Sequence, residues 1–389
     1  MDDASPPKWH LAHTTWFFET FILKEFVPEF VPVHEQYEYL FNSYYNGVGT
    51  PYPRTARGFL SRPTVAEVFE YRRRVDEAVI TLVTNTQNQE ILRRVRLGCH
   101  HEQQHQELLV TDLKYNFGHN PLFPAYIKTQ EFEPERSPEP LRYIEQEGGI
   151  VDIGVGTDSQ GFHFDNEGPA HQVLLQPYAL ADRLVTNGEY LEFLQEGGYS
   201  NPQLWLAEGW AHQLQNKWQG PEYWVRQDNE WFEYRLDGLH PLRMDLPVTH
   251  VSGHEAFAYA NWVGARLMTE FEFEASFSAQ NMVQDEPGFL ELGTFHPQPC
   301  PNSSIATHRI KQGFGQVWQW TASAYGPYPG YKPVAGTLGE YNGKFMSSQL
   351  VLRGASCATP VSHARHTYRN FFYPPDRWQF TGIRLAQNI

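Results

Sequence analysis

The sequence predicts a chain of two domains, an N-terminal helical bundle over residues 1–118 and a C-terminal α+β domain over 148–389. Three observations predict this. A chain of 389 residues exceeds what one ordinary core organises. Up to about residue 118, apolar residues recur at three- and four-residue spacing, the period of helices with one buried face. Beyond about residue 147 the texture changes to short alternating runs punctuated by Gly, Pro, Asn and Asp. The intervening stretch, 119–147, contains Pro121, Pro124, Pro134, Pro138 and Pro140 and reads as a linker.

Three helical segments are expected in the first domain: WFFETFILKEF, TVAEVFEYRRRVDEAVITLVTN and ILRRVRLGCHHEQQHQELLVTDLKY. Thr64 and Glu67 have the spacing of a capping box at the start of the second. The loop FNSYYNGVGTPYPRTARG between the first two is long for a bundle, and its tyrosines and arginines favour a functional role over disorder. In the second domain GGIVDIGVG, HQVLLQPYAL, WFEYRL, QLVLRGA and TGIRLA read as strands, interrupted by helices near TNGEYLEFLQEGG and GHEAFAYANWVGARL. No internal repeat is evident.

Composition narrows the function. A net charge of −15 with no basic stripe argues against a nucleic-acid partner, and Arg72-Arg73-Arg74 reads as a solvated helix face. Cys99, Cys300 and Cys357 are scattered and include no CxxC pair, which suggests a reducing compartment. No apolar run approaches the roughly 18 residues of a membrane span, and MDDASPPKWH lacks a signal core. A cytoplasmic protein with no membrane partner is expected. The content of 26 Phe, 21 Tyr, 11 Trp, 28 Pro and 30 Gly points to a loop-rich fold whose loops carry function.

The sharpest motif is His101-Glu102-Gln103-Gln104-His105. Two histidines four apart project from one helix face and can bind one metal ion. The pentapeptide also matches the zinc-protease pattern in which the Glu activates water, but the Gly and third His expected downstream in metzincins are missing. A third ligand would come from WHLAH, where spacing does not choose between His10 and His13. His100 makes the cluster crowded, and its members cannot all be ligands.

The segments SPPKWHLAHTTWFFETF, LFNSYYNGVGTPYPRTARGFLSRPT and HHEQQHQELLVTDLKY resemble the DinB-like helical domain of the ergothioneine-type sulfoxide synthases. GGIVDIG, FDNEGPAHQVLLQPYALADRLVTNGEYLEFL, PVTHVSGHEAFAYANWVGARLMTEFEFE, GQVWQWTASAYGPYPGY and LRGASCATPVSHARHTYRNFFYPPDRWQFTGIRLA resemble the formylglycine-generating-enzyme-like (C-type-lectin-like) α+β domain fused to it in that family. The resemblance spans nearly the whole chain. It implies an iron site formed by His13, His101 and His105, which selects His13 over His10 and makes Glu102 a supporting residue. Relatives of this kind carry a further helix ahead of the SPxKWHLAH segment, so the bundle is expected to lack that helix here. RLMTEFEFE stands where RLPTEAEWE is usual, and the cysteine pair of formylglycine-generating enzymes has no equivalent. Cys357 is therefore expected to be a packed thiol, and the second domain a substrate platform.

The reaction the resemblance implies joins a thiol, cysteine or γ-glutamylcysteine, to the imidazole C2 of hercynine and oxidises the sulfur with O2. Fe(II) is the implied cofactor, and three imidazoles leave it two or three open positions. Tyr44 and Tyr45 resemble the paired tyrosines that supply a proton in one branch of the family, with Tyr325 as the candidate in the second domain. Arg54 and Arg57 resemble the arginines that clamp the thiol substrate's carboxylate, a role suited to their planar forks. Gln104 is placed to hydrogen-bond the substrate imidazole. Asn370 and Phe371, in YRNFFY, offer a polar anchor and an aromatic face for the quaternary ammonium. The rival expectations are an ovothiol-type or selenium-transferring relative and a zinc-dependent, non-oxidative DinB-type thiol transferase.

Overall fold

The computed structural model describes residues 4–128, 134–156, 158–278, 288–301 and 309–389. They form two compact units. The first comprises Met1–Asn116, Ser159–Asn166 and Tyr331–Lys344; the second comprises Phe117–Asp158, Glu167–Gly330 and Phe345–Ile389. Two segments from beyond the N-terminal helical stretch, Ser159–Asn166 and Tyr331–Lys344, thus belong to the helical unit, a feature with no local signature in sequence.

Helix α1, Pro7–Phe18, opens on Pro7, whose missing N–H would be unbonded there in any case. It is buried nearly all round, from Trp9 to Phe18. A π-helical turn, Glu19–Leu23, carries it on to a short helix, Lys24–Phe26. Helix α2, Val65–Asn85, starts at the expected Thr64–Glu67 capping box. Helix α3, Gln89–Gly118, is 30 residues long and therefore about 45 Å. Gly98 lets α1 and α3 approach closely, since a Cβ there would lie 2.6 Å from the Phe18 ring. Arg72 ties the three helices together by donating to Thr14 on α1 and pairing with Glu102 on α3 at 2.8 Å. Arg73 and Arg74 are exposed as the sequence suggests, but Arg72 is half-buried, because Glu102 gives its charge a partner inside the bundle.

The second unit is built on two four-stranded sheets. In one, Tyr143–Gln146, Tyr178–Ala181, Leu385–Asn388 and Arg266–Leu267 lie side by side. The other has the order Asn370–Phe372, Leu350–Gly354, Trp318–Ala324, Thr381–Gly382, and only its last pair is parallel. A hairpin pairs Gly149–Ile153 with His171–Leu175, and a meander runs through Trp224–Gln227, Glu230–Arg235 and Gly238–Pro241. Asp228 and Asn229 both take positive φ, 46° and 69°, giving the first meander turn the twist that matches its strands. Within the stretch read as a linker, Tyr143–Gln146 form a strand and the Tyr126 and Ile127 amides donate to the Leu236 carbonyl. Residues 129–133 of it lie outside the described residues.

Among the described residues this unit has four longer helices: α4, Asn187–Gln195; α5, Ala207–Asn216; α6, Gly253–Trp262; and α7, Glu270–Ser278. Helices α6 and α7 pack against strands, and α4 and α5 pack against α6. The sequence reading anticipates α4 and α6, each with a capping box, but not α5 or α7. Buried ion pairs fix the interior, including Arg353–Glu274 and Arg369–Glu270. Cys357 is fully buried, as a packed thiol should be.

Candidate metal centre

The helical unit brings three imidazoles together. His13 comes from α1; His101 and His105, one helical turn apart, come from the same face of α3. Their ring centroids lie 4.9 Å (His13–His101), 4.8 Å (His13–His105) and 4.7 Å (His101–His105) apart. One ligand atom from each falls within 4.8 Å of the other two. This close approach of α1 and α3 depends on Gly98, three residues before His101.

Hydrogen bonds fix which ring nitrogens of His13 and His105 face the centre. Nδ1 of His13 donates to the Phe41 carbonyl at 2.6 Å, so the lone pair resides on Nε2, which is buried with no hydrogen-bond partner. Nδ1 of His105 lies 2.9 Å from Nδ1 of His10, and Nε2 of His10 lies 3.0 Å from Asp112 Oδ2. An ionised carboxylate only accepts, so His10 carries its proton on Nε2. Its Nδ1 then accepts from His105 Nδ1–H, leaving Nε2 of His105 with a lone pair to give. The Ser5 amide also donates to Asp112 Oδ2, at 2.8 Å, anchoring the far end of this relay. His10, one of the two candidates from WHLAH, is thus the residue that orients His105.

Burial is the main reason all three histidines stay neutral. It lowers His101 to about 3, and it lowers His13 and His105 well below 6.5, aided by neighbouring histidines and Arg57. A buried polar atom without a partner costs about 1–3 kcal/mol. The bare Nε2 of His13 and Nδ1 of His101 are such atoms, and a bound cation relieves the cost. Three converging neutral imidazoles, with the tautomers of His13 and His105 fixed by hydrogen bonds, fit one divalent transition ion.

Two predictions arise here. Asp112→Asn removes the carboxylate that sets the His10 tautomer, and should weaken metal binding about 10- to 100-fold while leaving α3 folded. Competition with a chelator measures this, and unchanged affinity would show that the relay does not orient His105. The second concerns acid. In metal-free protein the folded values lie below 6.5, so between them and 6.5 the unfolded chain holds protons that the native chain does not. Stability therefore falls as pH drops below 6.5, by about 1.4 kcal/mol per pH unit for each histidine. Urea unfolding at pH 7 and pH 5 should show this, with a shallower dependence in His101→Leu; an identical slope would contradict it.

The remaining residues singled out in the sequence fall around this centre or in the other unit. The Tyr44 and Tyr45 rings stack at 4.5 Å, and the Tyr44 hydroxyl donates to that of Tyr45 at 3.3 Å. Tyr45 is fully buried and packs on Trp16, which stacks on His13. Burial raises both phenols above their ordinary range, so both remain protonated at neutral pH. Arg57 is buried, its terminal nitrogens donating to Ser5 and Ser43, and its guanidinium lies 3.5 Å from the centroid of Trp9, which stacks on His13. Arg54 is exposed, near enough to Tyr44 to act on it electrostatically. Glu102 pairs with Arg72, and His100 stacks on Phe162 at 3.7 Å, so neither belongs to the triad.

Sequence reasoning missed the short segment that closes round the site. The Tyr341 hydroxyl donates to Gln104 Oε1, and its ring meets His101 at 5.7 Å. Glu340 accepts from the Asn46 and Gly47 amides, and Lys344 donates to the Tyr44 carbonyl. These contacts hold the tyrosine-bearing loop from residues some 300 positions away. Asn370 and Phe371 belong to the second unit, on the Asn370–Phe372 strand and half-buried. Phe371 stacks on Tyr325 at 4.1 Å, and Tyr325 is itself 2% exposed.

Residues 130–288 and 292–389 match the sulfatase-modifying factor enzyme 1-like domain. The hercynine oxygenase of Mycolicibacterium smegmatis is 30% identical over 314 residues, 76% of this chain and 72% of that protein. That of Mycolicibacterium thermoresistibile is 27% identical over 404 residues, 99% of this chain and 88% of its own. Ergothioneine biosynthesis protein 1 of Schizosaccharomyces pombe is 26% identical over 241 residues, covering 58% of this chain and 28% of that protein. A three-histidine helical unit followed by a sheet-rich domain is thus the frame of an oxygenase-type enzyme. The chain belongs to the hercynine oxygenase family, the ergothioneine-type sulfoxide synthases with a sulfatase-modifying-factor-like domain.

Proposed function

We propose that this enzyme is a non-haem Fe(II), O2-dependent sulfoxide synthase of ergothioneine biosynthesis. It joins the sulfur of cysteine or γ-glutamylcysteine to imidazole C2 of hercynine and oxidises that sulfur. Thiol, hercynine and O2 become sulfoxide and water, so O2 is fully reduced and no other redox cofactor is consumed. The observation that carries this reading is the buried His13, His101 and His105 cluster in a chain similar over 99% of its length to a hercynine oxygenase.

Fe(II), which His13, His101 and His105 would hold, would supply the redox capacity for reducing O2 and Lewis acidity toward a thiolate. The chain's own residues do the rest. Arg54 and Arg57 hold the thiol substrate's carboxylate. Gln104, itself positioned by Tyr341, hydrogen-bonds the hercynine imidazole. Within the second unit, Phe371 stacked on Tyr325 is an aromatic surface of the kind that takes a quaternary ammonium at about 0.5–2 kcal/mol, with Asn370 beside it as a polar group. The Tyr44–Tyr45 pair delivers a proton, and burial keeps both hydroxyls in the donor form.

Regiochemistry separates this reaction from the ovothiol type, which joins sulfur to C5 of unmethylated histidine. With hercynine deuterated at C2, mass spectrometry of the product should show the deuterium lost. A product from histidine, or retention of deuterium, would overturn the assignment.

A further inference from the structure

We propose that the second unit carries a divalent-cation site of its own, formed by Glu208, His212 and His254 and selective for a borderline transition ion, Zn²⁺ foremost. Glu208 and His212 are four apart on α5 and so share a face, while His254 sits in the first turn of α6. One ligand atom from each lies within 4.8 Å of the other two, the same closeness as in the helical unit's triad. The His212 and His254 rings are nearly parallel, 22° apart, with centroids 5.5 Å from each other.

The decisive observation is His254. Its side chain is 4% exposed, and its Nε2 is buried with no hydrogen-bond partner. The ring is held in this pose by α5. A Cβ on Gly209 would fall 2.9 Å from His254 Cβ and Cγ and 3.0 Å from Nδ1, so glycine there allows the two helices to meet. The Nδ1 edge is thereby packed against α5, and Nε2 is the atom left to bind. A carboxylate in the first turn of a helix has an ordinary reason to be there, since it meets the positive end of the dipole. That accounts for Glu208 alone and leaves the bare nitrogen unexplained.

Two imidazole nitrogens and one carboxylate oxygen are a common donor set for zinc, with a fourth position open to water. Burial grades from exposed Glu208 through half-buried His212 to buried His254, so the open position faces solvent on the Glu208 side. Arg377, which lies over Trp218 beside His212, is matched by Glu222 and Glu255 and adds no uncompensated positive charge. A bound ion would bolt α5 to α6. The site shares no residue with the centre on α1 and α3 and does not rest on the reaction proposed there.

The test uses the full chain, stripped with a chelator, reloaded with Zn²⁺ alone and passed through metal-free gel filtration before metal analysis. The wild-type chain is expected to retain two equivalents. Glu208→Gln/His212→Asn should retain one, His13→Ala/His101→Ala/His105→Ala should also retain one, and the combined variant none. A double variant that holds as much zinc as wild type overturns the proposal, as does a folded triple variant that holds none. If the triple variant fails to fold, the double variant alone decides, because Glu208 and His212 lie outside the core.

Discussion

His13→Ala, His101→Ala and His105→Ala are each expected to abolish sulfoxide formation and to weaken metal binding beyond the roughly 10- to 100-fold typical of losing an orienting partner. Two imidazoles cannot replace a three-nitrogen set whose third member is positioned by its own backbone hydrogen bond. The second unit should remain folded, because it has its own sheets and its own buried ion pairs. Circular dichroism and limited proteolysis check this beside metal analysis. His13 stacks on both Trp9 and Trp16, so alanine there also opens a cavity, and His13→Gln serves as the control of similar size. His10→Ala should weaken metal binding without abolishing it, because His10 acts through His105. Full activity in His13→Ala, with loss in His10→Ala, would exchange the two assignments.

The second large effect concerns product partition. Tyr44→Phe/Tyr45→Phe removes both hydroxyls but keeps the stacked rings and the packing on Trp16. Metal and both substrates should still bind. Sulfoxide formation should fall by about 10²- to 10⁴-fold, the range for losing a general acid. Oxygen uptake should persist and be diverted to the thiol, which takes up O2 to give a sulfinic acid. Sulfoxide, sulfinate and O2 are to be measured together at saturating substrate. An unchanged product ratio would make these tyrosines packing residues and move the proton donor to Tyr325 or another hydroxyl such as that of Tyr341.

The helices of the first unit were legible because apolar periodicity and the Thr64–Glu67 cap agree with each other. The His101–His105 pair was legible from spacing alone, but the third imidazole was not. His10 and His13 are three apart on one short buried helix, and the positions of Phe41 and Asp112 are what make His13 the candidate ligand and His10 a neighbour that hydrogen-bonds His105. Helix α7 shows local signals in conflict. EFEFE alternates like a strand, whereas Thr269 and Glu272 form reciprocal backbone bonds that start a helix, and the cap prevailed. Helix α5 carries Gly209 in its first turn, which lowers its helical propensity and is explained only by the approach of His254. Tyr341, Glu340 and Lys344 could not be read at all, because their roles depend on a long-range return of the chain to the helical unit.

The central claim is that three histidines hold a redox-active ion for an O2-dependent joining of sulfur to an imidazole. The most direct test loads the stripped enzyme anaerobically with Fe(II) or with Zn²⁺, then supplies hercynine, cysteine and a measured amount of O2. The account predicts that only the iron-loaded enzyme turns over, with O2 consumed and sulfoxide formed in equal amounts. Product formation by the zinc-loaded enzyme without O2 uptake would contradict it and establish a non-oxidative thiol transferase instead.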